Sequence, residues 1–93
     1  MKIEYDPDKR SENLAKHGLD FDDVSLMKWA DGFSVPDLRH DYGEDRYNAF
    51  IPWQDSLYLV CYTLRGAVIR VISFRRANIR ERIYYDDYFR SGR

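Results

Sequence analysis

The sequence is poor in cysteine and has no long apolar run, and these absences exclude several classes of protein. The single cysteine, Cys61, cannot form an intramolecular disulfide or a cysteine-based zinc site. Its apolar neighbours are typical of a small buried residue rather than of a nucleophile. No run of 18 apolar residues occurs, and the N-terminal segment 1–6 lacks the apolar core of a signal peptide. We therefore expect a soluble, cytoplasmic protein that does not enter membranes.

Histidine is also scarce, and the usual cofactor motifs are missing. His17 and His40 are the only two histidines, and neither has a carboxylate at a spacing typical of metal ligands. The sequence contains no glycine-rich phosphate loop, nucleophile elbow or nicotinamide fingerprint. We expect no metal and no cofactor, so that any catalysis would use Arg, Lys, His, Glu and Tyr side chains.

Aromatic residues and arginines are abundant. Eight Tyr, five Phe and two Trp in 93 residues argue against disorder and predict a single domain over residues 1–93. The net charge is −1, but residues 64–93 hold eight Arg, no Lys and three acidic residues, a local charge of +5. Arginine is a planar, bidentate donor suited to phosphate. This segment is therefore predicted to face RNA or another polyanion, the alternative being an ordinary solvated surface.

The N-terminal third is predicted to form a strand and two helices. Alternating apolar and polar residues indicate a strand over 1–5. A helix is predicted over 7–17, because Asp6 is a typical N-cap and Gly18 a typical left-handed helix end. A second helix is predicted over 20–31, with one apolar stripe formed by Phe21, Val24, Met27 and Ala30.

The remainder is predicted to form a three-stranded meander and a last helix. A loop over 34–45 leads to strands over 46–53, 57–64 and 68–75, whose short links force antiparallel hairpins. The last helix is predicted over 77–90, with a buried stripe of Ile79, Ile83 and Tyr84. The order predicts an α+β fold, in which an antiparallel sheet has its helices packed on one face and the other face free for a ligand.

The charged residues around the end of the last strand are candidates for chemistry. Strand alternation directs Arg70 away from its apolar neighbours. Arg75 and Arg76 lie where this strand meets the last helix, a position that could present two guanidinium groups. Glu81, on the first turn of that helix, could orient an arginine or act as a base. The alternative for Glu81 is a surface ion pair worth at most ~1 kcal/mol.

Two smaller polar clusters accompany these residues. Lys16 and His17 end the first helix, where the helix dipole would stabilise cations in any protein. Lys9, Asn13 and Lys16 fall on one side of the same helix. His40 lies in the predicted loop and Arg46 begins the next strand. A loop histidine is most often simply solvated.

Several segments that contain these residues resemble one known family. The most specific are Lys16-His17-Gly18 and the run from Ile72 to Arg82, which reads Ile-Ser-x-Arg-x-Ala-x-x-x-Glu-Arg. Together with the segments 5–9, 41–46 and 60–63, they make nearly the whole chain resemble the BrnT toxins of type II toxin–antitoxin systems. The chain differs from the family pattern at Phe74, where a small residue is more usual, and in its acidic overall charge.

The resemblance implies a RelE-like fold and a ribonuclease that inhibits translation. Its implied partners are RNA and a cognate BrnA-like antitoxin with a ribbon-helix-helix part, through which alone the complex would bind operator DNA. A homodimer within that complex is a further option. The hypothesis is a metal-independent endoribonuclease in which the 2′-hydroxyl of the RNA attacks the adjacent phosphate.

The predicted site residues fall into two groups. The catalytic candidates are Lys16, His17, Arg46, Arg70, Arg75, Arg76 and Glu81, and the RNA-binding candidates are Lys9, Asn13, His40 and Arg80. The alternative function is a non-catalytic module that binds nucleic acid or protein through the C-terminal arginines.

Overall fold

A computed structural model describes residues 1–39 and 41–91. Five strands form one sheet in the order β1-β5-β4-β3-β2. The elements are β1 (Ile3–Tyr5), α1 (Pro7–His17), two 3-10 helices (Phe21–Leu26 and Trp29–Asp31), β2 (Phe33–Pro36), β3 (Arg46–Trp53), β4 (Ser56–Arg65), β5 (Val68–Arg76) and α2 (Ile79–Arg90). No helix in the described part of the chain is long and apolar enough to cross a membrane.

The first helix and the meander are confirmed with the predicted end signals. The Asp6 carboxylate accepts a hydrogen bond from the Asp8 N–H at 2.9 Å, and Gly18 ends α1 with a φ of 68°. The β3–β4 turn is Gln54-Asp55, with φ values of 49° and 64°, as expected for a two-residue hairpin turn. The antiparallel pairing of β3, β4 and β5 follows from these short links.

The prediction of a wholly antiparallel sheet is wrong at one edge. β1 pairs with β5 in parallel, with Ile3 opposite Ile69 and Tyr5 opposite Val71. Alternation of side chains shows that a segment is a strand but gives no information about its direction relative to a partner distant in sequence.

The predicted second α-helix is replaced by the two 3-10 helices. Phe21, Val24 and Met27 are buried as predicted, because a spacing of three residues also matches one turn of a 3-10 helix. The backbone then becomes extended at Met27 and ends the helical segment. Ala30, predicted in the same stripe, is exposed, and Trp29 packs against the core instead.

The predicted loop over 34–45 overlaps a strand, β2, that was not predicted. β2 pairs antiparallel with β3, so that Phe33 lies opposite Phe50. The chain approaches β3 closely just before this strand, since a Cβ on Gly32 would lie 2.2 Å from the carbonyl oxygen of Phe50. Glycine is therefore required at position 32 for β2 to join the sheet.

Helices cover both faces of the sheet, which corrects the prediction that they pack on one. The face that we call the first carries the larger core, in which the 3-10 helix pair covers Ala49, Ile51, Val60, Val71 and Phe74. On the second face, α2 packs against Phe33, Phe50, Leu57, Leu59 and Ala77 through the ring of Tyr85.

The buried side of α2 differs from the predicted stripe. Ile79 and Ile83 are 72% and 55% exposed, and Tyr84 is half-exposed at the margin of the helix. Tyr85 and Tyr88 face the sheet instead, and the Tyr88 ring stacks on Phe33 with 3.7 Å between centroids. Aromatic contacts, stacked on Phe33 and edge-to-face on Phe50, thus orient α2, and they are not visible in the helix sequence alone.

Asn13 fastens α1 to the edge of the sheet. Beyond the end of β1, its carboxamide oxygen accepts the Phe74 N–H at 3.1 Å, and its amide nitrogen donates to the Phe74 carbonyl at 2.8 Å. The same nitrogen donates to the Leu19 carbonyl at 3.0 Å. The side chain therefore takes the place of a neighbouring strand for one residue of β5 and fixes the end of α1 beside it.

Candidate functional site

The strand register gathers polar side chains on the second face. Residues directly opposite each other in neighbouring strands point to the same face. Beside the row that α2 covers lies a row of Val35, Asn48, Cys61 and Ser73, and beyond it a row of Arg46, Thr63, Arg70 and Glu4. We call these two rows, together with Arg75 at the margin of α2, the polar face.

A β-bulge is what brings two of the arginines together. Arg70 and Arg75 are five residues apart, and a regular strand would direct them to opposite faces. The register between β4 and β5 shifts at Cys61/Tyr62, which leaves Ile72 as an extra residue in β5. Both arginines therefore point to the second face. Bulges often redirect side chains in this way near functional sites.

Arg75 is held in place by Glu81 of α2. Its two terminal nitrogens donate to the two carboxylate oxygens at 2.8 and 2.7 Å. Glu81 also accepts the N–H of Asn78, and so completes a capping box at the start of α2. Burial alone would raise the pKa of Glu81, but the bonds from Arg75 and Asn78 outweigh it and the pKa lies below its ordinary value. Glu81 is therefore an ionised group that positions Arg75.

Arg70 and Arg46 are oriented by carboxylates but keep donors for a ligand. Arg70 Nη1 donates to Glu4 at 3.0 Å, and Arg46 Nε donates to Glu44 at 3.1 Å. The Arg46 guanidinium also lies 4.0 Å from the ring centroid of Tyr42. Within the described residues each arginine uses only one nitrogen in these bonds, which leaves the others available to a phosphate.

Arg76 is not brought to the polar face. It lies opposite Tyr58 in the register, and its guanidinium is 5.8 Å from the Tyr58 ring centroid on the first face. Adjacent residues of a strand point to opposite faces, so that Arg75 and Arg76 cannot act on one phosphate. The predicted pairing of these two arginines is corrected accordingly.

The end of α1 approaches the polar face at Arg75. His17 is half-buried, and burial, followed by the charges of Lys16 and Arg75, lowers the pKa of its imidazole below the ordinary value. The imidazole makes no hydrogen bond within the described residues, so that its nitrogens remain free to exchange a proton. Lys16 is exposed beside it.

The predicted RNA-binding residues have different positions. Asn13 is buried and its amide is used by the backbone of Phe74 and Leu19, so it anchors α1 and offers no exposed amide for the predicted RNA contact. Lys9 is exposed on the first half of α1. His40 lies outside the described residues.

Arg80 lies on the flank of α2 that borders the polar face. Arg82 and Asp86 line a cavity of about 770 Å³ on the other flank, together with Pro52 and Leu57. Each helical residue advances about 100°. Arg80 and Tyr84, two residues before Arg82 and Asp86, therefore project from the opposite flank, towards the row that contains Asn48.

A fourth ion pair near this face, between Arg39 and Asp37, was not predicted from the sequence. Asp37 is almost completely buried and accepts Arg39 Nε at 2.9 Å and Nη2 at 2.8 Å. These bonds lower the pKa of Asp37 to about 2. The Asp37 N–H donates to the Arg46 carbonyl at 2.8 Å, which holds this pair beside the start of β3. Only the pairing of β2 with β3 creates this arrangement, and no motif contains both residues.

Comparisons with known proteins identify the relatives of this chain. The family model described as the ribonuclease toxin BrnT of type II toxin–antitoxin systems matches residues 5–81. The 1.1 Å crystal structure of the Brucella abortus ribonuclease toxin BrnT superimposes with a TM-score of 0.71 and 32% identity. This match covers 84% of the present chain and 97% of the Brucella chain. No curated protein matches the sequence.

The family model and the structural match together define a toxin of the ribonuclease class. The chain belongs to the BrnT family of type II toxin–antitoxin systems. Membership implies two partners, an RNA substrate and an antitoxin. Within residues 1–39 and 41–91, no group of three His, Cys, Asp or Glu side chains is placed to hold a metal ion.

Proposed function

We propose that the protein is an endoribonuclease whose polar face cleaves RNA without a metal ion. The observation that carries the proposal is the common orientation of Arg46, Arg70 and Arg75, with the Glu81 carboxylate fixed beside Arg75. Three guanidinium groups on one surface match the charge that a phosphodiester develops as it is attacked.

The proposed reaction is an internal displacement. The 2′-hydroxyl oxygen forms a bond to the adjacent phosphorus, and the bond from phosphorus to the 5′-oxygen breaks. A base removes the 2′-hydroxyl proton and an acid supplies a proton to the leaving oxygen. The products are a 2′,3′-cyclic phosphate and a free 5′-hydroxyl.

His17 is the better candidate for the base. Its lowered pKa keeps the imidazole neutral at neutral pH, and its nitrogens are not engaged within the described residues. Glu81 is ionised and could also accept a proton, but both of its oxygens bind Arg75 and one also binds Asn78, so we assign it to positioning Arg75. Lys16, exposed beside His17, is assigned to phosphate binding or to protonating the leaving oxygen.

The finer family features are part of the same proposal. They comprise a RelE-like arrangement of the sheet, arrest of translation in the cytoplasm, and neutralisation by a BrnA-like antitoxin with a ribbon-helix-helix part. The antitoxin would connect the complex, with or without a toxin homodimer, to operator DNA. Family membership is what supports these features.

A second candidate function is binding without cleavage. The ion pairs of Arg46, Arg70 and Arg75 favour it, because each pair must share its guanidinium with an incoming phosphate. In that case the protein would retain RNA in a salt-sensitive complex and leave it intact.

Incubation of the purified protein with end-labelled RNA in EDTA separates the two functions. We expect cleavage that EDTA does not inhibit, with 2′,3′-cyclic phosphate and 5′-hydroxyl ends on the products. Intact but bound RNA would favour the binding module. Cleavage that stops in EDTA, or products with 5′-phosphate ends, would contradict the proposed chemistry.

A further inference from the structure

Asn48 has an unexplained polar atom in the middle of the polar face. Its Oδ1 is buried and has no hydrogen-bond partner, the only such side-chain atom among the described residues. Buried polar atoms are nearly always paired, because an unpaired acceptor destabilises the folded state. Asparagine is also disfavoured in strands, where a β-branched residue would pack better at this position. Asn48 is therefore expected to lower the stability of the fold, and no contact in the structure explains its presence.

The neighbours of Asn48 are those of a binding site. It lies between Val35 and Cys61 in the register, with the row of Arg46 on one side and α2 on the other. Its amide nitrogen also makes no hydrogen bond within the described residues. Rotation about the terminal torsion, which is broad for Asn, exchanges the positions of the oxygen and the nitrogen. One residue thus offers a donor and an acceptor beside the arginines.

Tyr84 provides an aromatic surface next to this carboxamide. Phe50 follows Asn48 by two residues on the same face of β3, at about 7 Å along the strand. The Tyr84 ring lies 5.4 Å from the Phe50 ring, and Tyr84 projects from the flank of α2 that borders the polar face. Tyr84 is 46% exposed, so that part of its surface can still be covered by a ligand.

We propose that Asn48 and Tyr84 form a subsite for one nucleobase of single-stranded RNA, next to the phosphate held by the arginines. The base stacks on Tyr84 while its edge bonds to the Asn48 carboxamide, which is how proteins commonly read unpaired bases. A paired donor and acceptor on Asn is complementary to adenine. The subsite therefore selects adenine beside the cleaved bond. This inference rests on the proposed ribonuclease function.

The test measures base recognition separately from cleavage. Binding is measured to short RNAs that carry a 2′-deoxy residue at the step to be cleaved, with adenine or guanine at the neighbouring position. Cleavage is measured on the matching all-ribose RNAs. We expect the protein to prefer adenine in both assays, by roughly tenfold to a hundredfold.

Asn48→Val is expected to give two opposite changes. The melting temperature rises, because an unpaired buried acceptor is replaced by a strand-favouring apolar residue, while the preference for adenine is lost. Asn48→Asp keeps the shape of the side chain but loses its N–H donor, and this variant is also expected to lose the preference for adenine. If Asn48→Val does not fold, Asn48→Asp alone tests the role of the carboxamide.

Tyr84→Ala is expected to weaken RNA binding roughly tenfold, as for the loss of one base–aromatic stack. Its neighbour Ile83, exposed on the solvent side of α2, provides the matched control, and Ile83→Ala is expected to bind as the wild type does.

The outcomes separate the subsite from the nuclease. If the wild type binds adenine selectively but cleaves no RNA, the proposed nuclease function is contradicted and the base subsite is supported. Cleavage by a wild type with no base preference, or an Asn48→Asp variant with unchanged preference, would overturn the subsite and leave the nuclease in place.

Discussion

Residues of the polar face gain their positions from carboxylates. Glu81 directs Arg75, Glu4 contacts Arg70 and Glu44 contacts Arg46, and all three arginines remain partly exposed. Exposed pairs of this kind add little to stability. Their consequence is orientation, since a guanidinium held by one edge presents its remaining donors in a fixed direction.

A first residue-scale prediction concerns the pH dependence of cleavage. A base must be neutral to accept a proton, and the pKa of His17 is lowered by burial and by the charges of Lys16 and Arg75. The acid limb of the kcat/KM profile should therefore lie below pH 6.5, the ordinary histidine value. His17→Gln should lower kcat/KM by roughly 10²–10⁴-fold and remove this limb. An unchanged limb in that variant would show that another group titrates.

A second residue-scale prediction concerns the stability provided by Asp37. Its pKa falls from 3.8 to about 2 on folding, because Arg39 and the backbone bind the ionised form. The unfolded state therefore binds more protons between these values, so the contribution is complete above pH 3.8 and lost as the pH falls towards 2. Asp37→Asn should lower the free energy of unfolding by about 1–3 kcal/mol at pH 7. Urea titrations should show the difference shrinking below pH 4, whereas a constant difference would exclude titration of Asp37 as its cause.

At the scale of elements, the helix α1 and the strand β5 are joined through one side chain. Asn13→Leu would leave the N–H and carbonyl of Phe74 without partners at the edge of the sheet. We expect a loss of roughly 1–3 kcal/mol in the free energy of unfolding, measured in urea. Lys9→Ala, on the exposed surface of the same helix, should change stability by less than about 0.5 kcal/mol. Equal effects of the two substitutions would contradict the anchoring role.

How far the elements could be predicted depended on how local their causes are. The ends of α1 and the hairpins around β4 follow from Asp6, Gly18 and the short turns, which act within a few residues. The presence of β2 depends on its contacts with β3, and the direction of β1 depends on its contacts with β5. These partners are distant in sequence, and strands of four and three residues are too short for a sequence pattern to predict either feature. The placement of α2 on the second face likewise depends on stacking with Phe33.

The candidate site was predictable in composition but not in geometry. The arginines and Glu81 were visible as a charged run, whereas their faces depend on the extra residue Ile72 in β5. A bulge cannot be recognised in a single sequence, because the extra residue and the change of side-chain direction arise only from the pairing of β5 with β4. The same pairing separates Arg76 from Arg75, and folding of β2 brings Asp37 and Arg39 to the site.

At the scale of the whole molecule, an acidic protein gathers three arginines on one face, each beside a carboxylate that orients it. The net charge is −1, so that acidic residues on other surfaces would repel RNA from them. Binding that involves three phosphates should have a slope of about −2 in log affinity against log salt, since single strands give about −0.7 per phosphate.

The salt dependence has a simple control. Arg70→Ala should reduce the slope by about 0.7, because it removes one phosphate contact. Arg90→Ala, at the exposed end of α2 and paired with Asp87, should leave the slope unchanged. Filter binding or fluorescence anisotropy at several salt concentrations measures both. A slope near zero in the wild type would mean that the arginines do not contact phosphates.

The most direct test of the whole account compares Arg75→Ala with Arg76→Ala. The two arginines are adjacent in sequence and equal in charge, but they point to opposite faces of the sheet. Rates of cleavage of labelled RNA in EDTA should fall roughly 10²–10³-fold for Arg75→Ala and only a few-fold for Arg76→Ala, with both variants folded by circular dichroism. Equal losses, or a greater loss for Arg76→Ala, would contradict the assignment of the site to the second face.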